Sequence, residues 1–170
     1  METALVTGAT AGIGNAFAHE LARRDYHLVL VARDTKRLES TAEKLRSSYQ
    51  INVEVLAADL SNREDLLRVR DRVESLDNPI DLLVNNAGFG IHDSLLKRDF
   101  EIQERAFDVM CLAVLVLGGA AGRAMKTRGR GTIINVGSTS GAIMTGNYSA
   151  VKAWVNTYSQ ALAVELADTG

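Results

Sequence analysis

The chain has 170 residues, a hydrophobic share of 46%, a charged share of 24% and a net charge of −2. This size and composition are typical of one folded globular domain, which we expect to span residues 1–170. With a net charge close to zero, the protein has no overall positive potential that would attract nucleic acid, so no nucleic-acid partner is expected. The single cysteine, Cys111, cannot form an internal disulfide, and no Cys-x-x-Cys motif in the sequence suggests a metal site.

Two further features predict a cytoplasmic protein without a membrane partner. The N-terminus enters a strand-like run at once, with no charged region ahead of a signal-type apolar segment. The longest apolar stretch, residues 109–121, is interrupted by glycines and is too short to span a bilayer. We interpret it as part of a buried helix.

Short apolar runs alternate with longer amphipathic segments along the chain. Residues 27–32 (HLVLVA) form a continuous apolar run, as expected of a strand that is buried on both faces. Ser61 and Glu64 have the spacing of a capping box, which predicts the start of the third helix. In chain order the pattern predicts strand 4–7, helix 14–24, strand 27–32, helix 34–49, strand 53–57, a helix that ends at residue 76, strand 81–85, helix 100–125, strand 131–136 and helix 147–167.

Strands that alternate with helices predict an α/β fold with a parallel sheet and right-handed crossovers. We expect a three-layer, Rossmann-type doubly wound sheet with strand order 3-2-1-4-5. In such sheets ligands bind beyond the carboxyl ends of the strands. The residues that follow each predicted strand are therefore the candidates for a functional site.

A glycine-rich segment, TGATAGIG, follows the first strand at residues 7–14. Glycines let the backbone turn tightly and approach a phosphate, and the helix that follows offers free N–H groups and a positive dipole end to an anion. Placed between a first strand and a first helix, the segment favours a dinucleotide site over a turn that needs only glycine's backbone freedom. The candidate contacts are Gly8, Thr10, Gly12, Ile13 and Gly14.

The second strand ends at Ala32, the place where an acidic residue would bind the ribose 2′-hydroxyl of NAD. Arg33 follows, and its planar guanidinium suits the 2′-phosphate of NADP. The sequence therefore favours NADP over NAD as the cofactor. The alternative is that Arg33 is a solvated residue that begins a charged helix with Lys36 and Arg37.

Further candidates follow the third and fourth strands. Asp59 and Leu60 come after the third strand, and the sequence NNAG occupies residues 85–88. Asp59 can accept a hydrogen bond from an adenine amino group, or it can cap the helix that follows. The small residues of NNAG leave room for a cofactor, and asparagine amides can tie neighbouring strands together.

The last candidates surround the fifth strand. Ser138 lies just past it, and Tyr148 and Lys152 lie one turn apart on the final predicted helix. A lysine ammonium near a phenol favours the phenolate, and such a tyrosine can give or take a proton while a hydride moves at the neighbouring carbon. Tyr-x-x-x-Lys alone occurs easily by chance, and the two residues could have a purely structural role. Together with the glycine-rich turn, the pattern favours a catalytic role.

These motifs, in this order and spacing, resemble the short-chain dehydrogenase/reductase family over essentially the whole chain. The resemblance implies that Tyr148 is the general acid/base, that Lys152 activates Tyr148 and holds the nicotinamide ribose, and that Ser138 orients the carbonyl. It implies a pyrophosphate site at Gly8, Gly12, Ile13 and Gly14, a 2′-phosphate site at Arg33, and an adenosine and ribose site at Asp59, Leu60, Asn86, Ala87 and Gly88. It also implies a homodimer or homotetramer through the helices near 100–125 and 147–167.

The chain departs from the family pattern at three places. Met110 stands where many members have an asparagine that holds a water of the proton relay. Ten positions separate Ser138 from Tyr148, whereas the family commonly has about 13, so the loop beside the substrate is shortened. Strands six and seven of the family are missing after Gly170, and we therefore expect a domain that is incomplete at its C-terminus.

The sequence therefore predicts an oxidoreductase that transfers a hydride between NADP(H) and a small-molecule carbonyl or alcohol. The alternative is a dinucleotide-binding protein with little or no catalysis, such as a sensor or a partner subunit. Met110, the short loop and the missing C-terminal strands favour the alternative, and the combination of Ser138, Tyr148 and Lys152 favours the enzyme.

Overall fold

A computed structural model describes residues 1–169 of the chain. Its strands are β1 (Thr3–Thr7), β2 (His27–Ala32), β3 (Val53–Ala57), β4 (Leu82–Asn85) and β5 (Thr132–Asn135). Its α-helices are α1 (Gly12–Arg23), α2 (Thr35–Tyr49), α3 (Arg63–Glu74), α4 (Glu101–Arg128) and α5 (Gly146–Leu166), and a short 3₁₀ turn covers Thr139–Ala142. The predicted alternation of strands and helices is confirmed, with boundaries that differ by a few residues.

The five strands form one parallel sheet in the order β3-β2-β1-β4-β5. The predicted strand order is therefore confirmed. β1 is central, and Leu5 lies opposite Val29 of β2 on one side and Leu83 of β4 on the other. The chain reverses its direction of travel across the sheet at β1 and β4, so the crevice for a ligand opens between these two strands.

Helices cover both faces of the sheet, as the three-layer prediction required. Leu5, Val29 and Leu83 point to the face that α3 and α4 cover, whereas Val6 and Leu30 point to the face that α1 and α2 cover. Both sets are buried completely or almost completely. The centres of β1, β2 and β4 are continuous apolar runs because alternate residues enter two different cores.

The start of α3 differs from the prediction. Asn62, not Ser61, is its N-cap, and the Asn62 side-chain oxygen accepts hydrogen bonds from the backbone N–H groups of Glu64 and Asp65. The Ser61 hydroxyl instead donates to Asp59. The predicted Ser61 capping box is therefore wrong, and Asp59 does not cap α3 either. Asparagine and serine are about equally good caps, so the sequence could not separate two adjacent candidates.

α4 is longer than predicted and is not a regular helix throughout. Residues Asp108–Leu112 form a π-helical turn between two α-helical segments, a feature that often marks functional sites. By length and composition α4 is apolar enough to cross a membrane, but 61% of its most apolar window is buried inside the protein. Its apolar character is thus that of a core helix that packs against the sheet and α5.

Candidate active site

Loops at the carboxyl ends of all five strands enclose one cavity of about 880 Å³. The predicted site residues that line it are Gly8, Thr10, Gly12, Ile13, Arg33, Asp59, Leu60, Asn86, Ala87, Gly88, Ser138, Tyr148 and Lys152. The parallel sheet brings these loops together because every strand ends at the same edge. The cavity therefore joins the candidate dinucleotide residues and the candidate catalytic residues.

Hydrogen bonds between the loops after β1 and β4 fix the floor of the cavity. The Asn86 side-chain nitrogen donates to the carbonyl oxygens of Thr7 (3.0 Å) and Gly8 (3.3 Å). The Thr7 hydroxyl oxygen accepts from the backbone N–H groups of Asn86 (2.9 Å) and Ala87 (3.0 Å). The Asn86 side-chain amide thus ties the end of β1 to the loop after β4, and it positions the glycine-rich loop.

One predicted cofactor contact does not reach the cavity. Gly14 is buried beneath the loop, and it is absent from the lining of the cavity in the described part of the chain. A Cβ at Gly14 would collide with the Gly8 carbonyl oxygen and the Asn86 side-chain nitrogen. The lack of a side chain at Gly14 therefore lets α1 approach the loop. Gly8 does line the cavity, with a φ of +67° that favours glycine.

The loop after β2 presents two guanidinium groups to one end of the cavity. Arg33 lines it, and Arg37, from the first turn of α2, lines it as well. The Nη2 atom of Arg37 donates a hydrogen bond to the Thr10 carbonyl oxygen at 3.3 Å. This bond links α2 to the glycine-rich loop. From the sequence, Arg37 was expected only as a solvated residue of a charged helix. Its spacing three residues after the Asp34 N-cap was the signal that placed it in the first turn.

Asp59 also lines the cavity, but it already has partners. Its carboxylate accepts hydrogen bonds from Ser61 and from Arg105 of α4. Burial favours the neutral acid, but the hydrogen bonds from Arg105 and Ser61 outweigh it and lower the pKa of Asp59. Asp59 is therefore a carboxylate held in place by a cation that the sequence analysis missed. Arg105 lies 46 residues away, so no local pattern could reveal the pair.

At the other end of the cavity, Tyr148 and Lys152 lie one turn apart on α5. The Lys152 ammonium is 5.8 Å from the centroid of the Tyr148 ring. Lys152 is buried, and its Nζ donates to the Val136 carbonyl oxygen at 2.8 Å. Burial lowers the pKa of Lys152, because the protein interior solvates an ammonium less well than water. Val136 uses one of its three donors, and within residues 1–169 the other two have no hydrogen-bond partner and can bind a ligand.

Ser138 reaches the same cavity although its loop is short. Its hydroxyl oxygen accepts from the backbone N–H of Ser140 at 3.1 Å, which leaves the hydroxyl hydrogen free to donate to a substrate. The Ser138 carbonyl accepts from the Asn156 side chain at 3.1 Å. Asn156 lies one turn beyond Lys152 on α5, and the sequence analysis missed its part in holding this loop.

Met110 and Cys111 lie in the π-helical turn of α4 and pack under the catalytic end. Met110 is almost completely buried and lines the cavity, and a Cβ at Gly88 would lie 2.9 Å from its sulfur. Met110 therefore fills the space that glycine leaves after β4. Burial raises the pKa of Cys111 to about 11, so this thiol is a packing residue rather than a nucleophile at neutral pH.

The sequence and the fold match one family throughout. A family model described as short chain dehydrogenase matches residues 2–170. The chain belongs to the short-chain dehydrogenase family, whose members are oxidoreductases that act on CH–OH and C=O groups.

Three similar proteins illustrate the match. An uncharacterized oxidoreductase of Staphylococcus saprophyticus is 34% identical over 172 residues, which cover 99% of this chain and 74% of that protein. A very-long-chain 3-oxoacyl-CoA reductase of Anas platyrhynchos is also 34% identical, over 98% of this chain and 55% of the reductase. The structure of a short-chain dehydrogenase from Sphingobium yanoikuyae in complex with NADPH superposes with a TM-score of 0.96 at 37% identity, over 100% of this chain and 67% of that one. The chain thus spans between about half and three quarters of the length of these relatives.

The buried position of Gly14 gives the first testable prediction. Gly14→Ala is expected to displace the Asn86 side chain and the Gly8 carbonyl, because overpacking at a site this close costs about 1–3 kcal/mol. We expect a lower melting temperature and at least about tenfold weaker NADPH binding, measured by nicotinamide fluorescence.

Gly119→Ala is the matched control, since a Cβ there meets only the end of the Arg123 side chain, at 3.4 Å. Replacing a glycine inside a helix by alanine is expected to stabilise the protein by about 0.5–1 kcal/mol without changing NADPH affinity. A Gly14→Ala variant with wild-type affinity and stability would show that the close approach of α1 to the loop is unimportant.

Proposed function

We propose that the chain is the cofactor-binding and catalytic part of an NADP-dependent oxidoreductase that interconverts a carbonyl group and an alcohol. The observation that carries the proposal is that Ser138, Tyr148 and Lys152 line the same cavity as the glycine-rich loop and Arg33. A protein that only bound a dinucleotide would have no need of all three catalytic side chains at one end. The NADPH complex of a relative that is 37% identical over this whole chain supports the choice of cofactor.

The residues present fit NADP(H). The pyrophosphate would lie on the loop at residues 8–13, at the N-terminus of α1, where free N–H groups and the helix dipole favour an anion. Arg33 and Arg37 would hold the 2′-phosphate, since the two guanidinium groups line one end of the cavity and the strand before them ends in Ala32 rather than an acid. When bound, the cofactor supplies or accepts the hydride.

The catalytic end would move the proton. In the direction of reduction, the Ser138 hydroxyl donates a hydrogen bond to the carbonyl oxygen, and Tyr148 gives its phenolic proton to that oxygen as the hydride reaches the carbonyl carbon. Lys152, held by the Val136 carbonyl, stabilises the phenolate that remains and offers its free N–H donors to the nicotinamide ribose. In oxidation the same groups act in reverse, and Tyr148 takes the proton from the alcohol.

We further propose a cytoplasmic homodimer or homotetramer that forms through α4 and α5. Support for the assembly comes from exposed apolar side chains on these helices, among them Phe107, Leu115 and Val164, which are 49%, 47% and 78% exposed. Light scattering of the purified protein measures the assembly, and a mass of 18.4 kDa would contradict it. The buried free thiol of Cys111 suits a reducing compartment, which cell fractionation checks.

The cofactor assignment predicts a charge-specific effect at Arg33. Arg33→Ala removes a guanidinium from the 2′-phosphate, so we expect about tenfold or greater loss of NADPH affinity with little change for NADH. Titrations that follow nicotinamide fluorescence measure both affinities.

Lys36→Ala is the matched control for Arg33→Ala, because Lys36 is a cation three residues beyond Arg33, in the first turn of α2, that does not line the cavity. It should leave both affinities unchanged. Equal binding of NADPH and NADH by the wild-type protein, or an equal loss of both in Arg33→Ala, would refute the 2′-phosphate assignment.

The catalytic assignment predicts that Tyr148→Phe binds NADPH as the wild type does but turns over carbonyl substrates about 10²–10⁴-fold more slowly, because it lacks the proton donor. Turnover is measured as loss of NADPH absorbance with a panel of ketones and aldehydes. Tyr49→Phe, which alters a phenol near His19 and away from the cavity, is the control. If the wild-type protein binds NADPH but does not oxidise it in the presence of any carbonyl compound of the panel, the result would support the non-catalytic alternative.

A further inference from the structure

The ion pair between Arg105 and Asp59 lies on the wall of the cavity, away from the catalytic end. Both residues line the cavity, and each side chain is about one third exposed, at 30% and 33%. One guanidinium nitrogen of Arg105, Nη2, donates to both oxygens of Asp59, at 2.9 Å to Oδ1 and 2.7 Å to Oδ2. A cation from α4 thus fixes the carboxylate that follows β3.

The donors around Asp59 are distributed unequally between its two oxygens. Oδ1 accepts from the backbone N–H of Ser61 (3.0 Å), from the Ser61 hydroxyl (2.8 Å) and from Arg105. Oδ2 accepts only from Arg105 among the described residues. A carboxylate oxygen has room for about two strong hydrogen bonds. Oδ1 is therefore saturated, and Oδ2 retains one free acceptor position in a carboxylate that lines the cavity.

From this geometry we propose that Arg105 is a positioning residue for purine recognition: it holds Asp59 so that Oδ2 accepts a hydrogen bond from the 6-amino group of adenine and rejects a 6-oxo purine. The inference rests on the proposed function, since it assumes that a dinucleotide occupies the cavity. Ser61 contacts only Oδ1, so it cannot fix the plane of the carboxylate by itself. Arg105 contacts both oxygens and removes that rotational freedom.

A hypoxanthine base is the chemical probe for this role. It carries an oxygen where adenine carries the amino group. That oxygen and the Asp59 carboxylate are both hydrogen-bond acceptors, so no hydrogen bond could form between them. A site built around a hydrogen bond discriminates against a ligand that cannot make it, because two acceptors that face each other repel and the second acceptor position of Oδ2 stays unfilled. The preference for adenine over hypoxanthine should therefore depend on how firmly Arg105 holds Asp59.

The test compares the binding of NADPH with that of its hypoxanthine analogue, reduced nicotinamide hypoxanthine dinucleotide phosphate. The proteins are the wild type, Arg105→Met, Asp59→Ala and the double variant. We expect the wild type to prefer NADPH by about tenfold or more, and Arg105→Met to lose most of this preference through weaker binding of NADPH alone. Because Arg105 acts through Asp59, the double variant should match Asp59→Ala.

Arg123→Met is the matched control. Arg123 pairs with Glu74 and links α4 to α3, just as Arg105 links α4 to the loop after β3, but it lies away from the cavity. This variant should retain the wild-type preference for adenine. If Arg105→Met does not fold, Arg105→Lys keeps the charge but not the planar donor group and should retain only part of the preference.

Three outcomes would overturn the proposal. The preference for adenine could survive undiminished in Arg105→Met, or this variant could lose affinity for both dinucleotides equally, as expected if Arg105 contributed only charge or stacking. In the third outcome, the double variant would bind NADPH more weakly than Asp59→Ala. A wild-type protein that binds neither dinucleotide would refute the proposed function itself, and this inference with it.

Discussion

The hydrogen bonds of the Asn86 side chain connect the two loops between which the cavity opens. The amide nitrogen bridges the carbonyl oxygens of Thr7 and Gly8, while the Thr7 hydroxyl accepts two backbone N–H groups in return. These bonds span about 80 positions of sequence and cross the point where the chain changes direction over the sheet. Gly14 of α1 packs against this contact, and its missing side chain leaves room for the Asn86 side-chain nitrogen and the Gly8 carbonyl oxygen. The shape of the glycine-rich loop, and so of the proposed pyrophosphate site, is set by this contact.

The two ends of the cavity differ in how their charges are held. At the proposed adenosine end, guanidinium groups from α2 and α4 stand at the surface of the cavity, and Asp59 is ionised because Arg105 and Ser61 compensate for its burial. At the catalytic end, Lys152 is buried and is held by one backbone carbonyl. α4 extends along both ends, since Arg105 and Met110 belong to the same helix. The helix therefore connects the proposed site of base recognition to the packing beneath the proposed reaction centre.

The sequence predicted the sheet order and most of the lining of the cavity because both depend on local patterns. Buried parallel strands are continuous apolar runs, and residues that follow such strands must meet at one edge. Contacts between distant segments could not be predicted in this way. The pair of Arg105 with Asp59 and the bond from Asn156 to the Ser138 loop join positions that share no periodicity. The prediction of the α3 cap failed for a different reason: adjacent Ser and Asn side chains are about equally suitable as caps, and the Ser61 hydroxyl instead donates to Asp59.

We propose that one NADP(H) molecule lies across the cavity from Arg33 to Tyr148. A crystal structure of the protein grown with NADP⁺ would show where the dinucleotide binds. We expect electron density for the 2′-phosphate beside the guanidinium groups of Arg33 and Arg37, for the pyrophosphate on the loop at residues 8–13, and for the nicotinamide next to Tyr148 and Lys152. Density for the dinucleotide elsewhere on the protein, or in this cavity with its nicotinamide end turned away from Tyr148, would contradict it.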